Sequence, residues 1–379
     1  MTVKNILIVF LCLILVTACI DEYWPDISDY EPLMVVDGTL TNGTGPYAVR
    51  LSVTSDVNHP KYEPLPACTV TIEDDAGNIE SLTETEPGLY VTVSENFRGV
   101  VGRQYRIWII TPESKTYSSP FQRLLAPVGI DTVYTEVEYR EIPDLNHDLA
   151  GLQFYLDTYR AENDSNYYLW KLEETFLFHT DFFIDYLYMG YWEQFSNRDS
   201  VHTCWTTQNV YEFFTAHTLN LTNPTLIRYP LHYVDTESRR LQVKYSLLVH
   251  QYTIDADAHS FYDQVRNLMV DAGKLYTKQP YQIRGNVSND DDPGEPVLGY
   301  FLVGGLDSIR IFVKRPLDVP FYYPVCELIT DMRSLYFMPR SYWPIYVTEN
   351  AQGQRGYASD ACFDCTLNGG VLEEPDFWE

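Results

Sequence analysis

The sequence is short of basic residues and, beyond its N-terminus, of long apolar runs. It contains 26 lysines and arginines against 53 aspartates and glutamates, for a formal net charge of −27. Nucleic acid is therefore a poor partner, because its phosphates are bound by basic side chains. After Cys19 no apolar run reaches the roughly 18 residues that predict a spanning helix, so we expect the body of the chain to be soluble.

The signatures of several enzyme classes are missing too. The chain has no G-x-S-x-G nucleophile elbow, no phosphate-binding loop and no dinucleotide fingerprint. None of the eight histidines belongs to an H-E-x-x-H motif. Counting the many acids identifies no glycosidase pair, since such a pair is defined by its spacing in the fold. The residues thus predict a protein without enzymatic activity or cofactor, with a carbohydrate- or peptide-active hydrolase as the less favoured alternative.

The one long apolar run, "ILIVFLCLILV" at residues 6–16, is too short to cross a bilayer comfortably as a helix, which takes about 20 residues. The small residues Thr17 and Ala18 before Cys19 resemble a lipobox. Residues 1–18 are therefore predicted to be a lipoprotein signal peptide, with Cys19 as the site of lipid attachment. An ordinary signal peptide with an incidental cysteine is the alternative.

The acid- and proline-containing residues 19–32 are predicted to form an extended, lipidated tether. Beyond it, strand signals alternate with turn residues at short spacing over residues 33–127, which is typical of an immunoglobulin-like or transthyretin-like β-sandwich. In "CTVTIED" alternation places Cys68, Val70 and Ile72 on one face, so we expect Cys68 to be a buried free thiol.

Residues 128–379 are predicted to form a second, larger domain, because the chain is too long for one hydrophobic core. Most of this domain has strand patterns, and the fold class is therefore mainly β. One helix is predicted in "DAHSFYDQVRNLMVDAG", with Asp257 as its N-cap and Gly273 at its end. Its packed face would carry four residues at helical spacing: Phe261, Val265, Leu268 and Met269.

Of the seven cysteines, one lies in the signal peptide, one is the predicted lipid site and Cys68 stands apart. An oxidising compartment favours disulfides among the remaining four, in any of three pairings. These are Cys204, Cys326, Cys362 and Cys365. The alternative is a zinc site of the same four, because a two-residue spacing suits thiolate ligation. His202 is a weak metal-ligand candidate, and a histidine satisfied in the core or at the surface is favoured.

An aromatic-rich stretch at residues 175–195 and the 31 tyrosines of the chain also require explanation. Tyrosine favours strands, and a platform for a glycan or peptide cargo is the second reading. Part of the stretch must be core, and any exposed remainder would mark a partner surface. The candidate surface residues are Phe182, Phe183, Tyr186, Tyr188, Tyr191 and Trp192. Phe377 and Trp378 are predicted to dock the C-terminal tail on the second domain.

The acidic run "SNDDDPGEP" is a weak calcium candidate, because carboxylates in a turn suit a hard cation. Its ligands would be Asp290, Asp291, Asp292 and Glu295. The order of these acids is not that of an EF-hand, and Asp-Pro-Gly is also a plain turn signal. A solvated loop is the favoured interpretation, and no metal is predicted.

Motifs along the whole chain resemble the Bacteroidota surface-lipoprotein family that carries domain of unknown function 4249. Besides the lipoprotein start they include "MVVDGTL", "VTIEDDAGN", "YYLWKLEET", "KYSLLVHQYTI", "RGNV", "LGYF" and "CFDC". The resemblance implies a lipid-anchored, surface-exposed outer-membrane protein that assists a TonB-dependent transporter in binding or assembly. It also implies that Asp21 and Glu22 act as an export signal. An adhesin-like structural protein is the alternative within the non-enzymatic class.

Overall fold

The computed structural model describes residues 32–56, 60–94, 97–142, 146–160, 167–272 and 282–378. The signal peptide, Cys19, Asp21 and Glu22 lie outside these residues. The fold is mainly β with a single α-helix among the described residues, as predicted.

The strands up to the helix are β1 Met34–Leu40, β2 Ala48–Val53, β3 Glu63–Pro64, β4 Thr69–Asp74, β5 Ile79–Glu86, β6 Leu89–Thr92, β7 Gln104–Ile110, β8 Thr116–Ser118, β9 Gln122–Arg123, β10 Ile130–Arg140, β11 Leu149–Thr158, β12 Tyr167–His179, β13 Tyr186–Tyr188, β14 Trp192–Gln194, β15 Thr203–His217, β16 Tyr229–Asp235 and β17 Lys244–Ile254. After the helix α1, Ala256–Ala272, come β18 Ser288–Asn289, β19 Leu298–Val303, β20 Gly305–Lys314, β21 Ile345–Glu349 and β22 Arg355–Tyr357.

The N-terminal strands form one folded sheet, in the order β18-β8-β7-β4-β5-β6-β2-β1-β19, whose two halves share a single apolar core. In β4 the expected alternation is present, with Val70 and Ile72 buried and Thr69 exposed. Cys68 is a free thiol, as predicted, but it is only partly buried at the edge of this core. Partial burial raises the pKa of its thiol.

Strand β19 joins the first sheet, although its sequence was predicted to belong to the second domain. It pairs in parallel with β1, from Val35 opposite Leu298 to Leu40 opposite Val303. Phe301 of β19 is fully buried in the core of the first sheet. We call this pairing the β1–β19 seam. The segment predicted as residues 33–127 is thus completed by a strand from far along the chain.

Two glycines allow the backbones to approach closely at the seam. Gly299 has a φ of +80°, and a Cβ there would lie 2.0 Å from the carbonyl oxygen of Val36. A Cβ on Gly285 would lie 2.0 Å from the carbonyl oxygen of Gly299. Both glycines come from the short motifs "RGNV" and "LGYF", so these motifs have a direct structural role.

The middle of the chain folds into two further sheets, β10-β11-β16 and β15-β12-β17-β20. They pack face to face over a core that contains Phe154, Trp170 and Tyr245. Its polar atoms have partners, since the Trp170 indole donates to Gln251 Oε1 at 2.9 Å and Gln251 Nε2 donates to the Val128 carbonyl at 2.6 Å. The long strand β12 is the centre of this half of the molecule, because it pairs with both β15 and β17.

The N-cap of the helix lies two residues earlier than the sequence suggested. Asp255, rather than Asp257, accepts a hydrogen bond from the amide of Ala258 at 2.8 Å and acts as the N-cap. Ala258 and Tyr262 are the fully buried residues of α1, whereas Met269 is 45% exposed. The predicted end at Gly273 lies outside the described residues.

The close approach at Gly299 can be tested by Gly299→Ala. We expect the free energy of unfolding to fall by about 3 kcal/mol or more, because a clash adds to the cost of a positive φ. Gly77 is a matched control, since it has a φ of +82° and nothing within 4 Å of its would-be Cβ. Gly77→Ala should cost only about 1 kcal/mol. Equal losses in urea unfolding of the two variants would contradict the proposed role of the seam.

Candidate functional site

The predicted partner-surface residues surround a small sheet with the order β14-β13-β21-β22, and most of them pack inward. Tyr188 is buried in the core of this sheet. The Phe182 ring lies 5.6 Å from that of Phe363, and the Phe183 ring lies 3.9 Å from that of His202. Tyr186 is half-buried. Of the six candidates, Tyr191 and Trp192 are exposed, with fractions of 61% and 37%.

Three further exposed aromatics lie on the two turns that precede β21 and were not predicted. They are Tyr336, Phe337 and Tyr342, exposed by 68%, 86% and 66%. They lie on the 3₁₀ turns Met332–Phe337 and Arg340–Tyr342, and the Tyr336 ring meets that of Tyr188 edge-on at 6.0 Å. The sequence signal was the run "SLYFMPRSYWP", in which prolines separate the aromatics and exclude a regular strand. We call Tyr191, Trp192, Tyr336, Phe337 and Tyr342 the aromatic surface.

Two disulfides attach the C-terminal segment beside this surface. Cys204 of β15 bonds to Cys365, and Cys326 bonds to Cys362. The two cysteines of "CFDC" therefore bond to different partners. The structure selects one of the three pairings that the sequence left open. With their sulfurs bonded in pairs, these residues are not free as thiolates for the alternative zinc site.

His202 packs among other rings. Its Nδ1 lies 2.7 Å from the Thr180 hydroxyl, and its ring stacks on that of His179 at 4.9 Å. Burial lowers the pKa of His202. In the described ranges, no three histidines, cysteines or acids are grouped so as to hold a metal ion.

The acids of the calcium candidate are turned towards protein donors. Asp290 accepts a hydrogen bond from Ser118 at 2.7 Å, and Asp292 accepts one from the amide of Gly294 at 3.0 Å. Glu295 accepts the hydroxyl of Tyr117 at 2.8 Å. The backbone amide of Asp291 donates to Asn289 at 2.8 Å. This loop therefore fastens β18 to β8, and its acids bond to protein groups where a solvated loop was expected.

The C-terminal tail packs on the second half of the chain, as predicted. The guanidinium of Arg310 lies 3.6 Å from the centre of the Phe377 ring. Trp378 meets Phe312 at 5.5 Å between ring centres, and the ammonium of Lys244 lies near both rings. These contacts attach the tail to β17 and β20.

A buried charge cluster lies between the two middle sheets. Glu174 is 2% exposed and accepts hydrogen bonds from Tyr245 and Gln208, both at 2.6 Å. Arg240 lies 3.5 Å from the same carboxylate and His232 lies 3.6 Å from it. At 3.6 Å the histidine contact is an ion pair and not a hydrogen bond. The cluster ties β12 and β17 of one sheet to β16 of the other.

Two groups of this cluster have shifted pKa values. Burial raises the pKa of Glu174, but its contacts with His232, Tyr245, Arg240 and Gln208 outweigh burial and lower the pKa to about 2. Burial lowers the pKa of His232, but the carboxylates of Glu174 and Glu212 outweigh burial and raise it. The charged forms of both residues are therefore favoured in the folded protein.

A cavity of about 780 Å³ lies where α1 meets the seam and strands β12 and β15. The predicted packed face of the helix points into this space, since Phe261, Val265, Leu268 and Met269 all line it. The ammonium of Lys171 is the basic group of the lining. The helix pattern was therefore identified correctly, but its apolar face lines a cavity in addition to packing on the core.

These features define a mainly β protein with one packed helix among the described residues, a cavity at the β1–β19 seam and an aromatic surface beside two disulfides. Residues 20–310 match the family described as domain of unknown function (DUF4249). The match covers more than half of the chain, and the protein belongs to this family. A comparison with curated proteins finds no significant match. In the part of the chain that the structure describes, no helix combines the length and apolarity needed to cross a bilayer.

The charge cluster predicts a stability maximum in mildly acidic solution. Glu174 contributes stability above its ordinary pKa of 4.5, and this contribution is lost as the pH falls towards 2. His232 contributes below its ordinary pKa of 6.5, and its contribution is lost as the pH rises through the raised folded value. Glu174→Gln should remove the acidic dependence, weaken that of His232, which keeps Glu212 as a partner, and cost about 3 to 5 kcal/mol, because it breaks a buried ion pair.

The measurement is the free energy of unfolding in urea from pH 2 to pH 8. Asp331→Asn is the control, because Asp331 also has a lowered pKa from its Arg333 partner but is exposed at the surface. Its pH profile should follow that of the unchanged protein. A Glu174→Gln profile parallel to the unchanged protein would contradict the role given to the cluster.

Proposed function

We propose that this protein is a non-enzymatic binding and assembly subunit that docks on a TonB-dependent transporter at the cell surface. It is held at the outer membrane by the lipid on Cys19. The observation that carries the proposal is the aromatic surface. Exposed, clustered tyrosine, tryptophan and phenylalanine are the residues that contribute most at protein interfaces.

The contacts beneath the aromatic surface support a docking role. The guanidinium of Arg355 lies 4.0 Å from the Tyr186 ring and 5.2 Å from the Trp192 ring. The Cys326–Cys362 disulfide joins the loop before the 3₁₀ turn Met332–Phe337 to the later 3₁₀ turn Asp360–Cys362. The rings of Trp192 and Tyr336 are held against neighbouring side chains, and a ring that is already held loses less conformational entropy on binding, which favours affinity for the partner.

Lipid anchoring adds a geometric advantage. A lipidated protein with a short tether is confined near membrane-embedded partners, so its effective concentration at the transporter is high. Moderate affinity of the aromatic surface is then sufficient for stable assembly. The family resemblance supports the transporter as the partner.

The docking role predicts a loss of assembly in the variant Phe337→Ser with Tyr342→Ser. Both residues are mostly exposed, so folding should be kept. Co-purification of the transporter from native outer membranes should fall by about tenfold or more, since each anchor residue contributes about 1 to 2 kcal/mol. The matched control is Tyr62→Ser with Tyr139→Ser, which changes rings exposed by 61% and 56% elsewhere. Equal recovery with both variants would contradict the assignment of this surface.

The anchor is tested separately by intact mass spectrometry of the protein extracted from membranes. We expect a chain that begins at Cys19 and carries acyl groups. The variant Cys19→Ala should leave the membrane fraction. An unmodified residue 19, or recovery of the unchanged protein from the cytosol, would refute lipid anchoring.

A further inference from the structure

Lys171 is the one basic residue in the described lining of the cavity at the β1–β19 seam, and apolar packing does not explain its presence there. It lies on β12 between two tyrosine rings, with its ammonium 5.8 Å from the centre of Tyr252 and 5.6 Å from the centre of Tyr262. Among the residues that the structure describes, its ammonium has no hydrogen bond and no salt bridge, and its recorded contacts are the two tyrosine rings. Two cation–π contacts compensate only part of the hydration that an ammonium loses on burial.

The environment of Lys171 combines burial with one opposing charge. Burial lowers the pKa of its ammonium, and the carboxylate of Asp37 acts in the other direction. Asp37 is exposed on β1 and lines the same cavity, and no ion pair joins it to Lys171 among the described residues. A hydrogen-bond acceptor that enters the cavity would meet donors of Lys171 that no described side chain occupies.

The remaining walls are largely apolar. They include Leu172 from β12, Val210 and Phe213 from β15, and Val265 and Leu268 from α1. A volume of about 780 Å³ lies within the range of small-molecule sites, which is roughly 300 to 1,000 Å³. Such sites join apolar walls to a few polar groups that orient the ligand. The cavity has this composition.

The positive charge of Lys171 indicates that the ligand carries an anionic group. The whole chain has a formal net charge of −27, so a half-buried ammonium in a largely apolar cavity is a local exception. A single anionic group would pair with Lys171, and an apolar body would cover the walls. A sugar would leave most of this apolar surface without matching contacts.

We propose that the cavity at the β1–β19 seam binds an amphiphilic carboxylate, with its anionic group at Lys171 and its aromatic or alicyclic body between α1 and β15. The site is formed only when both halves of the chain are assembled. It is distinct from the aromatic surface, and it does not depend on docking to a transporter.

The experiment uses a pair of probes that differ in charge, 2-naphthoate and its neutral amide, 2-naphthamide. Each is titrated by calorimetry into the full chain in detergent, with a detergent-only titration as the blank. We expect naphthoate to bind at least tenfold more tightly than naphthamide, because a hydrogen bond between two charged groups is stronger than one to a neutral amide. Equal binding of the two probes, or binding of neither, would overturn the proposal.

Lys171→Met tests the residue itself, because methionine keeps most of the side-chain volume and removes the charge. The variant should abolish the preference for naphthoate while changing naphthamide affinity less than about threefold. Lys244→Met is the matched control, since the ammonium of Lys244 also lies against aromatic rings but away from the cavity. The control should keep the preference. A preference retained in Lys171→Met would overturn the assignment.

Two further variants test whether the probes bind inside the cavity and whether charge determines their affinity. Leu268→Trp places a large side chain in the cavity and should weaken both probes together by about tenfold or more. Asp37→Asn removes the opposing charge and should strengthen naphthoate alone by about two- to fivefold. Unchanged binding in Leu268→Trp would place the probes elsewhere and refute the site. Recovery of the transporter is measured in the same variants and should be unchanged.

Discussion

The parallel pairing of β1 with β19 is the constraint on which the rest of this molecule depends. It brings the first described strand against a strand that follows the helix, and buries Phe301 in the N-terminal core. The two backbones approach so closely that Gly299 leaves no space for a side chain. The same pairing places Asp37 and Tyr300 on one wall of a cavity whose other walls come from β12, β15 and α1. The cavity therefore has all of its walls only when β19 is paired with β1.

The second half of the chain is held together by different forces at its two ends. Near β16, the buried Glu174 carboxylate is contacted by donors from both sheets. Such directional contacts fix how the two sheets pack on each other. Near the C-terminus, where short strands and 3₁₀ turns bury little apolar area, two disulfides supply the constraint. The aromatic surface lies in this covalently held region. Constraint there comes from the disulfides and from edge-on and tilted ring contacts, since regular secondary structure is sparse.

Local patterns predicted the features that depend on neighbouring residues. Alternation identified the buried face of β4, and helical spacing identified α1. The preference for disulfides followed from the expected compartment, but their pairing needed three-dimensional distances. The seam could not be predicted, because parallel partners this far apart have no turn between them to fix their register. The N-cap was misplaced because Asp255 and Asp257 are both good caps, and the exposure of Phe337 and Tyr342 depends on turns that periodicity does not describe.

The position of β1 has a mechanical consequence. It is hydrogen-bonded on both sides, to β2 and to β19, and the chain enters it at Met34 along the strand axis. Tension transmitted through the preceding residues would therefore shear both ladders at once and would not peel bonds away one after another. Force shared among many hydrogen bonds is resisted far better than force concentrated on the last one. The N-terminal end of the described body is thus the end best arranged to withstand pulling.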